Sequence, residues 1–251
     1  MDRKNFLKAL YQFCEGKIEL RALPSRKQAF FEINDIPGIN SFCNQNVKDH
    51  LYFGVATRDG QGGKKENIIH IPCVWADVDY KKTPREIIAD RLKKFPFKPS
   101  IIVRSGGGIH LYWLLKEPAE KEDIAKIEDV NRRITSQLGG DFGACDAARI
   151  LRIPDTTNHK YPAKCEVAQL NQYTYELSDF LSILPEVPTQ TKETQASKDN
   201  SNEWLPEAMK GVKQGERNAT ATKIAGYFIN KVPPKDVLII LQAWNTKNDP
   251  P

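Results

Sequence analysis

The stretch IPCVWADVDY, residues 71–80, is the segment around which we expect the fold to be built. It starts as the apolar run expected of a buried strand and ends with two carboxylates, Asp77 and Asp79. Because alternate side chains of a strand share a face, both acids should point the same way, with Cα atoms about 6.5 Å apart. Like charges at the end of a buried strand repel each other unless a cation lies between them. The stretch therefore favours a divalent-metal site, with a helix cap or a turn as the alternative.

Length and composition indicate an ordinary globular protein. A chain of 251 residues can hold one large domain, or a medium and a small one. The net charge of +5 permits a polyanionic partner without requiring one. The five cysteines contain no Cys-x-x-Cys pair, so a reducing cytoplasm is expected rather than a disulfide framework or a zinc ribbon. No signal-peptide core or apolar run of about 20 residues is present, so we predict a cytoplasmic chain without a membrane partner.

Hydrophobic periodicity predicts two domains joined by a linker. In the first, residues 1–185, helices are predicted at 3–14, 28–33, 84–94, 120–138 and 175–184, and strands at 51–57, 71–79, 100–104, 109–115 and 164–170. Residues 186–203 have almost no apolar side chains and are predicted to be a linker. Helices at 205–212, 219–230 and 234–245 predict a small second domain at 204–251. The ending at residues 248–251 is typical of a junction between domains, so we expect the chain to be part of a longer protein.

Two glycine-rich turns are candidates for binding an anion. Residues 58–65 (RDGQGGKK) are basic and follow a predicted strand, whereas residues 105–108 (SGGG) join two predicted strands and precede His110. Glycine lets backbone N–H groups approach a phosphate without side-chain crowding. The first turn is not a P-loop, and a plain hairpin connection is the alternative for both. For His110 we favour a phosphate contact over a purely structural role.

A third candidate acid, Asp146, begins the stretch DAARILRIP at residues 146–154, which is followed by DTTNHK at 155–160. An acid before a short strand and a basic, polar turn could supply a third carboxylate together with phosphate-binding cations. The alternative is that Asp146 forms an ordinary ion pair with Arg149 or Arg152.

In this order the motifs resemble the archaeo-eukaryotic primase superfamily, specifically the primase-polymerase domains of plasmids, phages and mobile elements. The family pattern is an Asp-x-Asp strand, a small-residue-x-His strand and a third acid on another strand, matched here by Asp77 with Asp79, by His110, and by Asp146. Residues 149–160 are similar to the segment that follows the third acid, with Asp155 where the group usually has glycine. Gly108 stands where many members have serine. The helical tail is similar to the small domain that often precedes a helicase module in primases.

The resemblance implies an α+β fold with a central, mostly antiparallel sheet, RRM-like at its core and flanked by helices, plus a small all-helical C-terminal domain. It implies a DNA primase and polymerase, a nucleotidyltransferase that adds (d)NTPs to a 3′-hydroxyl on a single-stranded DNA template during replication of a mobile element or phage. The reaction would use two-metal-ion catalysis. A fused or recruited helicase module remains open as a further partner.

The same resemblance implies a role for each site residue. Asp77, Asp79 and Asp146 would act in catalysis as ligands of two Mg²⁺ or Mn²⁺ ions, because an all-oxygen site suits hard cations. Nucleotide binding is assigned to Ser105, Gly106, Gly107, Gly108, His110, Arg152, Asn158 and Lys160. DNA binding is assigned to Arg58, Lys64 and Lys65.

Two competing functions remain open. One is a non-catalytic replication initiator or single-stranded-DNA-binding module of the same fold, although pure binding favours cations and aromatics over three converging acids. The other is a metal-dependent glycosyltransferase with the same Asp-x-Asp pair, which leaves the third acid and residues 152–160 unexplained.

Overall fold

A computed structural model describes residues 2–187, 204–213, 215–229 and 231–249. The chain divides into two compact units, Met1–Pro188 and Thr189–Pro251. The linker predicted at 186–203 lies outside the described residues, apart from Glu186 and Val187.

The elements within the described ranges are as follows. The helices are α1 (Arg3–Leu10), α2 (Ile36–Gln45), α3 (Arg85–Lys94), α4 (Ile124–Leu138), α5 (Leu177–Ile183), α6 (Trp204–Ala208), α7 (Arg217–Phe228) and α8 (Pro234–Asn245). The strands are β1 (Lys17–Leu23), β2 (Lys27–Glu32), β3 (His50–Gly54), β4 (Ile71–Asp79), β5 (Ile101–Arg104), β6 (Gly108–Ala119), β7 (Ile150–Arg152), β8 (Thr156–Asn158), β9 (Ala163–Leu170) and β10 (Thr174–Tyr175).

Two sheets form the first unit. The smaller is antiparallel, in the order β2-β1-β3-β7. The larger runs β4-β6-β5-β9-β8 in antiparallel pairs, and β10 adds a short parallel pairing with the far half of β6. The α+β fold with a central, mostly antiparallel sheet and flanking helices, predicted from the sequence, is therefore confirmed.

Aromatic side chains fill the core on both faces of the larger sheet. On one face, Phe6 of α1 contacts Phe53 of β3 and Tyr112 of β6, with ring centroids 5.4 and 5.7 Å apart. On the other face, Trp113 packs against Phe95 at 5.5 Å and donates from Nε1 to the Phe97 carbonyl. All five rings are buried, so this packing holds the two sheets in a fixed relation.

Strand β4 is supported by α4 along the side that β6 does not occupy. The buried Asn131 of α4 accepts a 2.8 Å hydrogen bond at Oδ1 from the Trp75 backbone N–H. The indole Nε1 of Trp75 donates to the carbonyl of Ala144, just beyond α4. The strand that carries the two acids is thus tied to the helix and to the turn that follows it.

The helix predicted at 28–33 is wrong, because this segment forms β2. It pairs with β1 from Lys17↔Glu32 to Ala22↔Lys27, and Arg26, with φ of 59°, turns the chain tightly between the two strands. Neither β1 nor α2 was predicted. The helix predicted at 84–94 is confirmed, except that it begins at Arg85 with Pro84 as its N-cap.

The second unit contains α6, α7 and α8, which confirms its predicted helical character. Its core includes Ile224, Val237 and Trp244, all buried, and the Trp244 indole donates to the Ala208 carbonyl at 2.6 Å. Its assignment as a primase C-terminal domain stays a prediction. No helix among the described residues has the length and apolar character needed to cross a membrane.

Candidate active site

The register between β4 and β6 brings the two acids and the histidine together. Asp77 lies opposite His110, and Asp79 lies opposite Gly108. The side chains of Asp77, Asp79 and His110 are therefore on one face of the sheet. His110 Nε2 is 3.8 Å from Asp77 Oδ1. A Cβ on Gly108 would lie 2.1 Å from the Val78 carbonyl oxygen, so only glycine allows the two backbones to approach this closely.

His110 is held neutral by its surroundings. The ring is buried, and Nδ1 lies 3.3 Å from the Tyr112 hydroxyl. Burial lowers the pKa of His110; the Asp77 carboxylate opposes this effect, and the cationic Arg152 and Arg149 add to it. A neutral imidazole carries one donor and one acceptor, so His110 can donate to a phosphate oxygen while its other nitrogen faces Tyr112.

The acid that joins Asp77 and Asp79 is Asp141. Helix α4 ends at Leu138, and its C-cap Gly139, with a left-handed φ of 73°, turns the chain back toward β4. The Asp141 N–H then donates a 2.8 Å hydrogen bond to the Asp77 carbonyl. A Cβ on Gly140 would lie 2.8 Å from that same carbonyl, so the glycine pair permits the approach.

Asp146, predicted as the third acid, lies elsewhere. Its carboxylate is 3.2 Å from Lys65 Nζ, and Lys65 also pairs with Glu128. The Ala148 N–H donates to Asp146 Oδ1 at 2.8 Å. Asp146 does not line the cleft that holds Asp77, Asp79 and Asp141. Asp141 was not among the predicted site residues, although the helix-ending Gly139-Gly140 directly before it indicated a turn at this point.

Two of the three acids, Asp79 and Asp141, have a local hydrogen-bond partner. Asp79 Oδ1 accepts from the Lys81 N–H at 2.8 Å. Asp141 Oδ1 accepts from the Gly143 N–H at 3.3 Å and lies 3.5 Å from Lys82 Nζ. Within the described ranges, no three His, Cys, Asp or Glu side chains are close enough together to hold a metal ion. Three carboxylates in one cleft nevertheless form a donor set suited to a hard divalent cation.

The cleft has a volume of about 300 Å³ and lies between the two sheets. Strands β3 and β7 form one side, and β4 and β6 form the other. Its lining residues are Tyr52, Asp77, Asp79, Lys82, Ser105, Gly107, Gly108, His110, Asp141, Arg149, Ile150, Leu151, Arg152, Asn158, Lys160 and Tyr161. Acids and cations therefore face each other across a small polar space, an arrangement suited to a ligand that carries both phosphates and metal ions.

The glycine turn between β5 and β6 forms one wall, and Asn158 holds it in place. Asn158 Nδ2 donates to the Ser105 carbonyl at 2.8 Å, and its Oδ1 accepts from the Lys160 N–H at 3.1 Å. Gly106 has a φ of 91° and lies behind the cleft surface. Gly107 faces the Tyr161 ring so closely that a Cβ would lie 2.3 Å from it. The amide of Asn158 is thus used to position the turn.

Two arginines of the β7 region present cations to the cleft. Arg152 Nη1 lies 3.2 Å from His50 Nδ1, and Nη2 donates to the Tyr52 hydroxyl at 3.4 Å. Burial, together with Arg152 and His159, lowers the pKa of His50, so its neutral ring can accept from Arg152. The Nε of Arg149 is buried without a hydrogen-bond partner. Both arginines line the cleft, so their positive charges favour an anionic ligand there.

The three residues predicted to bind DNA have different environments. Arg58 is fully buried and donates to the equally buried Glu19 at 3.1 Å, so its position is structural. Lys65 is engaged by Glu128 and Asp146, whereas Lys64 is largely exposed, 3.6 Å from Glu66. Only Lys64 has the exposure expected of a DNA contact.

Comparison with known proteins gives consistent results. No family model matches the sequence. A curated "Replication protein" from Clostridium perfringens is 31% identical over 218 residues, which are 80% of this chain and 51% of the relative. The chain thus spans about half the length of the curated relative it matches.

Solved structures with a similar fold include two primases. The archaeo-eukaryotic primase domain of the cyanophage S-2L primase-polymerase aligns with a TM-score of 0.55 at 16% identity, covering 73% of this chain and 97% of that domain. The catalytic domain of primase RepB′, solved in complex with initiator DNA, aligns with a TM-score of 0.52 at 11% identity, covering 72% and 95%. The chain has the primase-polymerase fold. The fold implied by the resemblance is therefore confirmed.

Proposed function

We propose that the chain is a primase-polymerase that transfers nucleotides from (d)NTPs to a 3′-hydroxyl on a single-stranded DNA template. The observation that carries this proposal is the convergence of Asp77, Asp79 and Asp141 in one cleft with His110, Arg149 and Arg152. Acids at one side and cations at the other match a reaction in which metal-bound phosphates are transferred.

The three acids are the proposed ligands of two Mg²⁺ or Mn²⁺ ions. When bound, such ions activate the attacking hydroxyl and neutralise the leaving pyrophosphate. Asp77 and Asp79 share one face of β4, and Asp141 is fixed beside them through its backbone. On this geometry Asp141 takes the role that the sequence assigned to Asp146.

The cations and the glycine turn are the proposed binding site for the triphosphate. Neutral His110 donates to a phosphate oxygen from the floor of the cleft, next to Asp77. Arg149 and Arg152 both line the cleft, and Arg152 is oriented by His50 and Tyr52. Gly107 and Gly108 give the nucleotide close access to the backbone.

A non-catalytic replication module of the same fold is the competing function. It is favoured by the local partners of Asp79 and Asp141, which hold the acids in place without a metal. It leaves unexplained why three acids are grouped in a cleft otherwise suited to a polyanion, because binding alone favours cations.

Primer extension on a single-stranded template separates the two functions. We expect the chain to extend a labelled primer with Mg²⁺ or Mn²⁺, to stop when EDTA is added, and to lose extension in Asp77→Asn while DNA binding is retained. A wild-type chain that binds the primer-template but adds no nucleotide with either metal would instead identify the binding module.

A further inference from the structure

Four residues of the cleft lining are joined to two residues outside it by contacts or by adjacency in the chain. Lys82 Nζ lies 3.5 Å from Asp141, and Phe142 is the next residue along the chain. Lys81, adjacent to Lys82, places its Nζ 5.3 Å from the centroid of the Tyr161 ring. Lys160 Nζ lies 5.3 Å from the same centroid. We call this group the rim, and its members are Phe142, Asp141, Lys82, Lys81, Tyr161 and Lys160.

Phe142 is held in solvent by a fixed turn. Its side chain is 52% exposed, although it lies next to an acid of the cleft. The turn is closed by the Ala144 N–H, which donates to the Asp141 carbonyl at 2.9 Å. It is anchored to β4 by the Trp75 indole, which donates to the Ala144 carbonyl at 2.8 Å. The ring is therefore presented to solvent by a rigid support, as a surface on which a flat ligand could stack.

Tyr161 provides a second ring in the rim. It packs against Gly107 on one side, and its ring lies near two ammonium groups, those of Lys81 and Lys160. These two lysines and Lys82 are exposed. The rim therefore carries three positive charges and one negative charge, that of Asp141.

Aromatic rings interspersed with exposed cations are the combination that binds single-stranded nucleic acid. Unpaired bases stack on the rings, and the phosphates between them contact the cations. A duplex keeps its bases paired inside and cannot stack on such rings. We propose that the rim binds the single-stranded template beside the three acids, with a base stacked on Phe142 and phosphates on Lys81, Lys82 and Lys160. This inference rests on the proposed function, because the bound strand is a template only if nucleotides are added at the three acids.

Fluorescence anisotropy with a labelled single-stranded oligonucleotide, in the absence of metal and nucleotide, tests the rim. Phe142→Ala should weaken binding about 5- to 150-fold at unchanged salt dependence, because it removes stacking and no charge. The double variant Lys81→Ala/Lys82→Ala should reduce the slope of log K against log salt by about 1.4, or about 0.7 for each lost phosphate contact.

Two matched controls come from the rest of the first unit. Phe13 is 61% exposed and lies outside the cleft lining, so Phe13→Ala should bind like the wild type. Lys93→Ala/Lys94→Ala removes an adjacent lysine pair from the end of α3 and should leave the salt slope unchanged. On a duplex of the same length, Phe142→Ala should have no effect. The proposal is overturned if Phe142→Ala binds single strands like Phe13→Ala, if it weakens duplex binding equally, or if the Lys81/Lys82 variant keeps the wild-type slope.

The binding assay also separates the rim from the proposed function. If the wild type fails to extend a primer while Phe142→Ala still weakens single-strand binding, the rim is supported and the catalytic proposal falls. If extension occurs and Phe142→Ala binds normally, the rim is rejected and catalysis stands.

Discussion

The backbone N–H of Asp141 donates a 2.8 Å hydrogen bond to the carbonyl oxygen of Asp77. This bond joins the end of α4 to the end of β4, so two acids 64 positions apart in the sequence become neighbours. Because the bond uses backbone atoms only, it leaves both carboxylates free to face the cleft. It also survives substitution of either side chain, which makes the acids suitable for isosteric variants.

Asp141→Asn should abolish primer extension, whereas Asp146→Asn should retain it. Loss of a direct metal ligand should exceed the roughly 10- to 100-fold loss seen when only a supporting partner is removed. Asp146 pairs with Lys65 while half exposed, so its loss should cost less than about 1 kcal/mol of stability. Extension rates for both variants, with thermal unfolding as the control, test this. If both variants lose activity equally, Asp146 must also be assigned to the active site.

Gly140→Ala should reduce both stability and extension. The added Cβ would lie 2.8 Å from the Asp77 carbonyl and must push Asp141 away from it. Such overpacking costs about 1–3 kcal/mol, measurable by urea unfolding. Gly143→Ala is the matched control for stability, because its Cβ would meet only ordinary contacts of 3.6 Å or more. If both variants unfold at the wild-type urea concentration, the close approach is not a constraint.

Asn158→Ala should raise the KM for the nucleotide more than it lowers kcat. It removes the donor to the Ser105 carbonyl, and a buried polar group left unpaired costs about 1–3 kcal/mol. The glycine turn that it holds would then lose its fixed position. Asn158→Asp keeps the acceptor for the Lys160 N–H but not the donor to Ser105. Asn158→Asp should therefore raise the KM about as much as Asn158→Ala does. A wild-type KM in both variants would contradict the positioning role.

Glu19→Ala should destabilise the first unit by about 3–5 kcal/mol, because it leaves the fully buried Arg58 without its counter-charge. Arg21→Ala removes another partner of Glu19, but one whose side chain is 34% exposed. Its cost should be about 1 kcal/mol or less. Urea unfolding of the two variants compares these values. Similar losses would show that the Glu19–Arg58 pair is not the anchor of this region.

The shared face of Asp77 and Asp79 was predictable because it depends on local periodicity, since alternate side chains of a strand point the same way. The hairpin through Gly106–Gly108 joins β5 to β6, whereas Asp77 meets His110 because β4 pairs with β6, a contact between strands separated by α3 and β5 that periodicity does not show. The choice between Asp141 and Asp146 does not depend on local periodicity. Both follow the same helix and lie five positions apart, so only the tertiary contact to Asp77 distinguishes them.

Strand β2 shows the same limit in the fold. Residues 28–33 (QAFFEI) form a short, largely apolar run, which periodicity cannot assign to helix or strand. The decision comes from β1, whose six cross-strand partners convert the run into a hairpin. Since β1 was itself not predicted, the neighbour that decides the assignment was missing.

The contacts made by Asn131 and Asp141 also cover the edge of β4 that does not pair with another strand. Among the described strands, β4 pairs with β6 alone, so its other margin would offer free N–H and C=O groups to a second molecule. Asn131 occupies the N–H of Trp75, and Asp141 occupies the carbonyl of Asp77. These two hydrogen bonds therefore also hinder a strand of another molecule from pairing with this margin, so the atoms that shape the cleft contribute to solubility as well.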